Sequence, residues 1–112
     1  MKRRFRLTRS TDIQRVRRLG KSYTHPLIVF IIAPNELEQV RIAVVAGRAV
    51  GTAVQRNLAK RRLRACLDQW IPCISGGYDV VVLARKPVAQ VDFQGICSAM
   101  QQLLKRANLL YE

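Results

Sequence analysis

Residues 53–64, which read Ala-Val-Gln-Arg-Asn-Leu-Ala-Lys-Arg-Arg-Leu-Arg, are strongly basic and also have the periodicity of an amphipathic helix. At 100° per residue, one stripe of this helix is apolar and consists of Ala59, Leu63, Cys66 and Trp70. The opposite face is cationic and consists of Arg56, Lys60 and Arg64, with Asn57 and Arg61 beside them. One side of such a helix packs on a core and the other is left for a polyanion. The segment therefore indicates a folded, charged surface and not a disordered basic tail.

The cationic face has no acidic residue between Arg56 and Arg64 that could form ion pairs along the helix. Like charges four residues apart therefore repel each other, at positions 56/60 and 60/64, by roughly 0.2–0.5 kcal/mol per pair. A solvated helix surface usually mixes both signs, so the pattern favours an anionic ligand. Asn57 adds a neutral donor and acceptor for base or sugar edges.

The charge of the whole chain has the same sign, with Lys+Arg 20 against Asp+Glu 7 and a formal net charge of +13 over 112 residues. This balance suits nucleic acid or an anionic membrane surface. No apolar run approaches the ~20 residues of a membrane span, and no signal-type apolar segment follows the basic N-terminus. We therefore expect a cytoplasmic protein without membrane association. Its length predicts a single domain over residues 1–112, with a basic arm at residues 1–9.

The remaining chain alternates helical and strand-like patterns. A first helix is expected from an N-cap at Ser10, with a core stripe of Ile13, Val16 and Leu19, and it ends at Gly20. A last helix is expected after Asp92. Strands are predicted over 27–32, 39–46 and 79–84, and the basic helix over about 53–71.

The order of these elements predicts an α+β sandwich with helices packed on a small mixed sheet. The strand at 39–46 is expected to be the antiparallel neighbour of the strand at 27–32, across a turn at Pro34-Asn35. The strands at 39–46 and 79–84 form a βαβ unit with the basic helix if they are parallel. General physics then favours a right-handed crossover.

The residues that usually carry catalysis are few. His25 is the only histidine, no two carboxylates form a short-spaced metal-binding pair, and Gly47 to Gly51 lacks the Lys-Ser/Thr ending of a P-loop. Three cysteines, at positions 66, 73 and 97, match no zinc spacing, and we expect them to be reduced, buried apolar residues. The chain alone is therefore not expected to be catalytic.

Three ordered blocks of the chain resemble the bacterial ribonuclease P protein component. The first is its opening helix, the second its signature helix and the third its last strand. The matching residues are Arg6-Leu7, Ser10, Asp12-Ile13 and Gly20-Lys21-Ser22; Gly51-Thr52-Ala53-Val54 with Arg56-Asn57, Lys60-Arg61 and Arg64; and Asp79 to Arg85. One basic motif alone would be weak, whereas three blocks at family-like spacing are specific.

The resemblance implies a protein subunit that binds the catalytic RNA of ribonuclease P and assists the removal of 5′ leaders from precursor tRNA. The RNA would carry out the chemistry, with Mg²⁺ held through the RNA subunit. The resemblance also implies a ribosomal protein S5 domain 2-like two-layer sandwich with an unusual left-handed βαβ crossover, against the general rule. We expect the protein itself to be monomeric.

The resemblance also assigns site residues. It places RNA-subunit contacts on the signature helix and the loop before it, a metal contact at Asn57, and the leader in a cleft between the first helix and the sheet. The implied RNA-subunit set is Arg48, Arg56, Asn57, Lys60, Arg61 and Arg64, and the implied leader set is Asp12, Ile13, Arg17 and Phe30. No catalytic residue is assigned.

Two positions depart from the family pattern. Leu58 stands where an arginine is usual, and by the helical wheel it packs instead of binding RNA, with the extra Arg62 as a substitute. Ile13 stands where an aromatic residue is frequent, which removes a stacking platform that Phe30 or Tyr23 would have to supply.

Two other functions fit the charge pattern. A ribosomal or other structured-RNA protein shares every electrostatic expectation, so only the identity of its RNA separates it from a ribonuclease P subunit. A duplex-DNA or membrane-surface protein is disfavoured, because the sequence has no symmetric reading helix and no strongly apolar amphipathic face.

Overall fold

The computed structural model describes residues 1–110, which form one mixed four-stranded sheet with three α-helices. In chain order the elements are α1 (Ser10–Leu19), β1 (Lys21–Thr24), β2 (Ile28–Pro34), β3 (Arg41–Ala46), α2 (Ala53–Trp70), β4 (Tyr78–Ala84) and α3 (Phe93–Arg106). The strands lie in the order β1-β2-β4-β3, and β3 and β4 are the parallel pair. The α+β class and the βαβ unit are thus confirmed.

The expected pairing of β2 with β3 is wrong, because β4 lies between them and pairs with both. Val81 is opposite Ile31 of β2 on one side and Ala43 of β3 on the other. Val80, Val81 and Val82 of β4 are buried in succession, as expected of a strand with a neighbour on each side and a cover on each face. The expected turn at Pro34-Asn35 instead begins a longer connection to the sheet edge. β1 was not predicted, because its sequence Lys-Ser-Tyr-Thr is polar and largely exposed.

The two faces of the sheet have different covers. Even-numbered residues of β2, which are Ile28, Phe30 and Ile32, belong to the main core beneath α2 and α3. Ile31 and Ala33 belong to a smaller core with Val16 of α1. A strand places alternate side chains on opposite faces, so α1 lies on the other side of the sheet from α2 and α3.

The apolar stripe of α2 is largely as predicted. Ala59, Leu63 and Cys66 are buried, Leu67 joins them, and Trp70 is only partly buried. The stripe therefore fixes which side of α2 packs on the sheet and which side remains open.

Helix α1 ends at Gly20 as predicted, but it differs from the prediction at its N-cap and at Leu19. Ser10 is its first helical residue and Arg9 occupies the N-cap, without a side-chain cap hydrogen bond. Leu19 is 68% exposed and does not belong to the core. The backbone of Gly20 instead packs closely against the sheet. A Cβ added at Gly20 would lie 2.7 Å from Cγ2 of Ile31, which is too close for any residue with a side chain.

The expectation of three reduced, buried cysteines is confirmed only for the burial of Cys66 and is wrong otherwise. Cys66 of α2 and Cys97 of α3 form a disulfide, with their Cα atoms 5.2 Å apart. Both residues lie where the two helices pack on each other, which brings the sulfurs together. Cys73 is a free thiol but is exposed.

Candidate nucleic-acid interface

The start of α2 is fixed by a capping box. The Thr52 side chain accepts a hydrogen bond from the Gln55 amide nitrogen, and the Gln55 side chain accepts one from the Thr52 amide at 2.8 Å. Gly51 has a φ of 142°, a value that disfavours every residue with a side chain. This turn follows a short 3-10 helix that holds Arg48 at the surface. The exposed Arg48 and the first turns of α2 are thereby held on one rigid connection.

The cationic side of α2 is accessible along its length. Asn57 and Arg61 are exposed and form its outer ridge, whereas Arg56, Lys60 and Arg64 are half-buried along its flank. Within residues 1–110 none of the four cations forms an ion pair with an acidic group. Their charges are therefore available to an external polyanion.

Two neighbouring side chains lie off this face. Leu58 is half-buried and lines a small depression with Val88 and Ala89, so it packs as the sequence indicated. Arg62 borders the same depression. It therefore lies beside Leu58 and not within the cationic ridge, which argues against Arg62 as a simple substitute for the family's arginine.

The face of the sheet next to α1 carries an aliphatic floor. Ile13, Val29, Val45 and Leu83 are only partly buried and pack against the smaller core. The sequence did not lead us to assign Val29, Val45 or Leu83 to the cleft. The alternation of side chains along each strand was the signal that could have identified them.

The assignment of Phe30 to this cleft is wrong. Its side chain is fully buried beneath α2 and α3, on the opposite face of the sheet, and no base could reach it. Tyr23 pairs with Phe30 in register and packs on the same opposite face. Neither aromatic ring can therefore replace the missing platform at Ile13.

The N-terminal arm closes the edge of the sheet beside β3. Arg6 forms a parallel bridge with Ile42, and the amide of the buried Leu7 donates to the Ile42 carbonyl at 2.9 Å. The Met1 amine lies 2.9 Å from the Asp68 carboxylate of α2. The arm thus lies on the domain and connects the two sides of the sheet around this edge.

A cavity of about 160 Å³ lies at this edge, where the two predicted surfaces meet. Arg64 of α2 and Ile13 of α1 both line it, although their helices pack on opposite faces of the sheet. Arg6, Thr8 and Val45 also line this cavity. A flexible chain seated on the aliphatic floor would therefore come within reach of Arg64 on the cationic flank of α2, beside the N-terminal arm.

The other two residues of the predicted leader set lie nearby but outside this cavity. Arg17 is exposed one helical turn after Ile13. The Asp12 carboxylate lies 3.9 Å from the guanidinium groups of Arg15 and Arg41. Asp12 is thus held by structural cations, whereas Arg17 is available to a ligand.

A buried carboxylate anchors α1 to the sheet. Asp79 is fully buried and accepts hydrogen bonds from Nε and Nη2 of Arg41, at 2.9 and 2.8 Å. It also accepts from Nη2 of Arg15 at 2.6 Å and from Nδ2 of Asn35 at 2.8 Å. Since Arg15 lies on α1 and Arg41 on β3, this one side chain sets the position of α1 over the sheet. The sequence indicated only that Asp79 begins a strand.

The pKa of Asp79 makes stability depend on pH. Burial would raise this pKa, but the hydrogen bonds from Arg41, Asn35 and Arg15 outweigh burial and hold it below its ordinary value of 3.8. A lowered folded-state pKa stabilises the fold above the unfolded value and ceases to do so as the pH falls through the folded value. We expect the free energy of unfolding to decrease below about pH 4. Urea titrations across this range, with the Asp79→Asn variant showing a weaker dependence, would check this; an equal dependence would contradict it.

The residues around Asn57 do not make a magnesium site by themselves. Mg²⁺ prefers carboxylate oxygens and phosphates, whereas Asn57 offers one amide oxygen among cationic neighbours. No group of three His, Cys, Asp or Glu side chains suited to a metal ion occurs in the part of the chain that the structure describes. Any ion at Asn57 would need most of its ligands from a bound polyanion.

The helices of residues 1–110 include none that is long and apolar enough to cross a membrane.

Comparisons with known proteins agree with this geometry. The family model described as Ribonuclease P matches residues 1–108. The chain is 37% identical over 111 residues to the ribonuclease P protein component of Chloroflexus aurantiacus, which covers 98% of this chain and 82% of that protein. It is 34% identical to that of Herpetosiphon aurantiacus, with coverages of 100% and 91%.

Solved structures give the same result. The RNase P protein of Staphylococcus aureus superposes with a TM-score of 0.88 at 26% identity, covering 96% of this chain and 98% of that one. The RNase P protein of Thermotoga maritima superposes with a TM-score of 0.82 at 30% identity, covering 90% and 96%. The arrangement of α1, α2 and the sheet is therefore shared with these proteins.

Proposed function

The chain belongs to the bacterial ribonuclease P protein family, and from this premise we propose how its surfaces divide between two RNAs. As a protein component of ribonuclease P it serves an endoribonuclease that matures tRNA 5′ ends. In our proposal the cationic side of α2 and the preceding Arg48 bind the RNA subunit. The residues of α2 that take part are Arg56, Asn57, Lys60, Arg61 and Arg64. The cleft beside α1 receives the single-stranded leader of precursor tRNA.

The observation that carries this proposal is the shared cavity between Ile13 and Arg64. A precursor-tRNA leader must leave the RNA subunit and continue onto the protein. A surface that passes from the cations of α2 to the apolar floor beside α1 provides such a path. Single-strand grooves combine cations that follow the backbone with apolar surfaces under the bases, and Arg6, Arg17 and Arg64 supply the cations here.

The chemistry of cleavage belongs in this proposal to the RNA subunit and to Mg²⁺ held through its phosphates. Asn57 would contribute at most one oxygen ligand to such an ion, since its neighbours are cations. The protein's part is to neutralise phosphates and to position the leader. We further propose that it acts as a monomer in the cell interior, where precursor tRNA and the RNA subunit are found.

The experiment that tests the assignment is precursor-tRNA cleavage by a ribonuclease P RNA at low magnesium, with and without this protein. The protein should raise turnover, and more for substrates with long leaders than for leaderless ones. If it binds the RNA but leaves cleavage unchanged, it acts as a general structured-RNA binder. If turnover rises equally for both substrates, the leader cleft is wrong while the subunit role stands.

An aromatic ring at position 13 should strengthen leader binding. Ile13 is half-buried at the cavity that joins the two surfaces, and base–aromatic stacking contributes about 1–3 kcal/mol per base. We expect Ile13→Phe to raise affinity for long-leader precursor tRNA by about fivefold or more, with no change for leaderless substrate. Filter binding of the two substrates to the holoenzyme would measure the difference.

Leu19→Phe is the matched control, because Leu19 is on the same helix and 68% exposed but is not among the cavity residues. It adds the same ring away from the cleft and should leave both affinities unchanged. Equal gains from the two variants would show that the ring acts nonspecifically and would argue against a leader site at Ile13.

A further inference from the structure

We propose that a pocket between β1, the start of β4 and the end of α3 binds an unpaired nucleobase of RNA. The pocket has a volume of about 220 Å³ and is distinct from both surfaces described above. It is lined by the side chains of Lys21, Tyr23, Ile32, Pro34, Tyr78 and Asn108, with Ala107 and Leu109 at its α3 end.

The pocket lies on the other face of the sheet from the leader cleft. Tyr23 and Ile32 pack against the core beneath α2 and α3, whereas Ile13 packs against the core on the opposite face. Within the sheet, β1 is one edge and β3 is the other. The pocket is therefore remote from the edge where Arg64 meets Ile13, and a nucleotide bound in it would make a third contact with RNA.

The chemistry of the lining fits a base. Tyr78 is an aromatic ring that is 36% exposed at the start of a strand, which leaves a surface for stacking. The ammonium of Lys21 lies 5.3 Å from the centre of the Tyr23 ring. This cation–π contact holds a positive charge at the pocket, in a position to meet the phosphate of a nucleotide whose base stacks on Tyr78.

Asn108 supplies the polar group that a base edge requires. It has a φ of 57° and lies exposed just after α3, at the pocket wall. Its amide offers both donors and an acceptor, the combination that pairs with base edges. Among residues 1–110 the lining contains a cation and no acid. An anionic ligand with a flat aromatic part satisfies all of these features, and for a protein of charge +13 that ligand is RNA.

The test is 19F NMR of the full chain labelled with 3-fluorotyrosine, in the Arg56→Ala/Lys60→Ala background so that α2 does not dominate binding. The probes are hexa-adenylate RNA and an abasic oligonucleotide of the same length. Single Tyr→Phe variants assign the signals, including that of Tyr111, which lies outside the described residues. We expect the Tyr78 signal to shift with hexa-adenylate and not with the abasic strand. Equal shifts with both, or none, would overturn the proposal.

Affinity measurements give an independent readout. Tyr78→Ala should weaken hexa-adenylate binding in the same background by about fivefold or more, whereas Tyr78→Phe keeps the ring and should bind normally. Asn108→Gly removes the amide and keeps the left-handed backbone at this exposed position, so it should weaken binding without affecting the fold. If Tyr78→Ala and Asn108→Gly both bind as tightly as the parent chain, the pocket does not bind a base.

Discussion

The single variants Arg56→Ala and Lys60→Ala should each weaken binding to the ribonuclease P RNA by roughly tenfold or more at physiological salt. Both side chains lie along the accessible flank of α2 and pair with no acid of residues 1–110. A hydrogen bond to a charged group contributes about 1.5–3 kcal/mol, so the loss of even one such contact gives this factor. Each lost phosphate contact should also reduce the slope of log K against log salt by about 1. Fluorescence anisotropy over a salt series would measure both quantities.

Lys105→Ala is the matched control for each single variant, because Lys105 is an exposed cation in the last turn of α3, away from α2. It removes the same charge and should change the affinity and the slope little. Urea unfolding would show that the α2 variants retain the fold, which rests on the other side of the helix. If Lys105→Ala weakens binding as much as Arg56→Ala, net charge drives association and the α2 face is not a specific site.

The amphipathic helix could be predicted from the sequence because its period depends only on the chain's local geometry. Its observed bounds, Ala53–Trp70, lie within one residue of the expected ones. The buried stripe of Ala59, Leu63 and Cys66 also follows from the helical period. The cationic residues could be named for the same reason, although the order of their exposure, with Asn57 and Arg61 outermost, depends on how α2 sits on the sheet.

The features that the sequence could not give depend on contacts between distant segments. Phe30 was assigned to the wrong face because a one-residue choice of strand register exchanges the two faces of a sheet. The pairing of β2 with β4 joins segments that are distant in the sequence, such as Ile28 and Ala84. The hydrogen bond between Arg15 and Asp79 joins residues 64 positions apart. No local pattern marks such contacts. The disulfide between Cys66 and Cys97 was missed for the same reason, since it depends on the packing of α2 against α3.

Removal of the Asp79 carboxylate should destabilise the fold and release α1. Loss of one partner from a buried ion pair costs about 3–5 kcal/mol. Arg15 and Arg41 are 34% and 26% exposed, so water can reach them and the lower end, about 3 kcal/mol, is expected for Asp79→Ala. Urea unfolding would give the free energy, and hydrogen exchange should show that amides of α1 lose protection before those of α2.

Asp12→Ala is the control for this prediction, because Asp12 approaches the same two arginines but only at 3.9 Å and is 27% exposed. It should cost less than 1 kcal/mol, the usual range for an exposed pair at that distance. If the two variants cost the same, Asp79 is not the anchor of α1. If Asp79→Ala costs about 3 kcal/mol while α1 and α2 lose protection together, the network supports the whole fold. If α1 loses protection before α2, as expected, Asp79→Ala should also bind long leaders less tightly. Its binding to the RNA subunit should change little, because the leader cleft needs α1 in place and the cationic face of α2 does not.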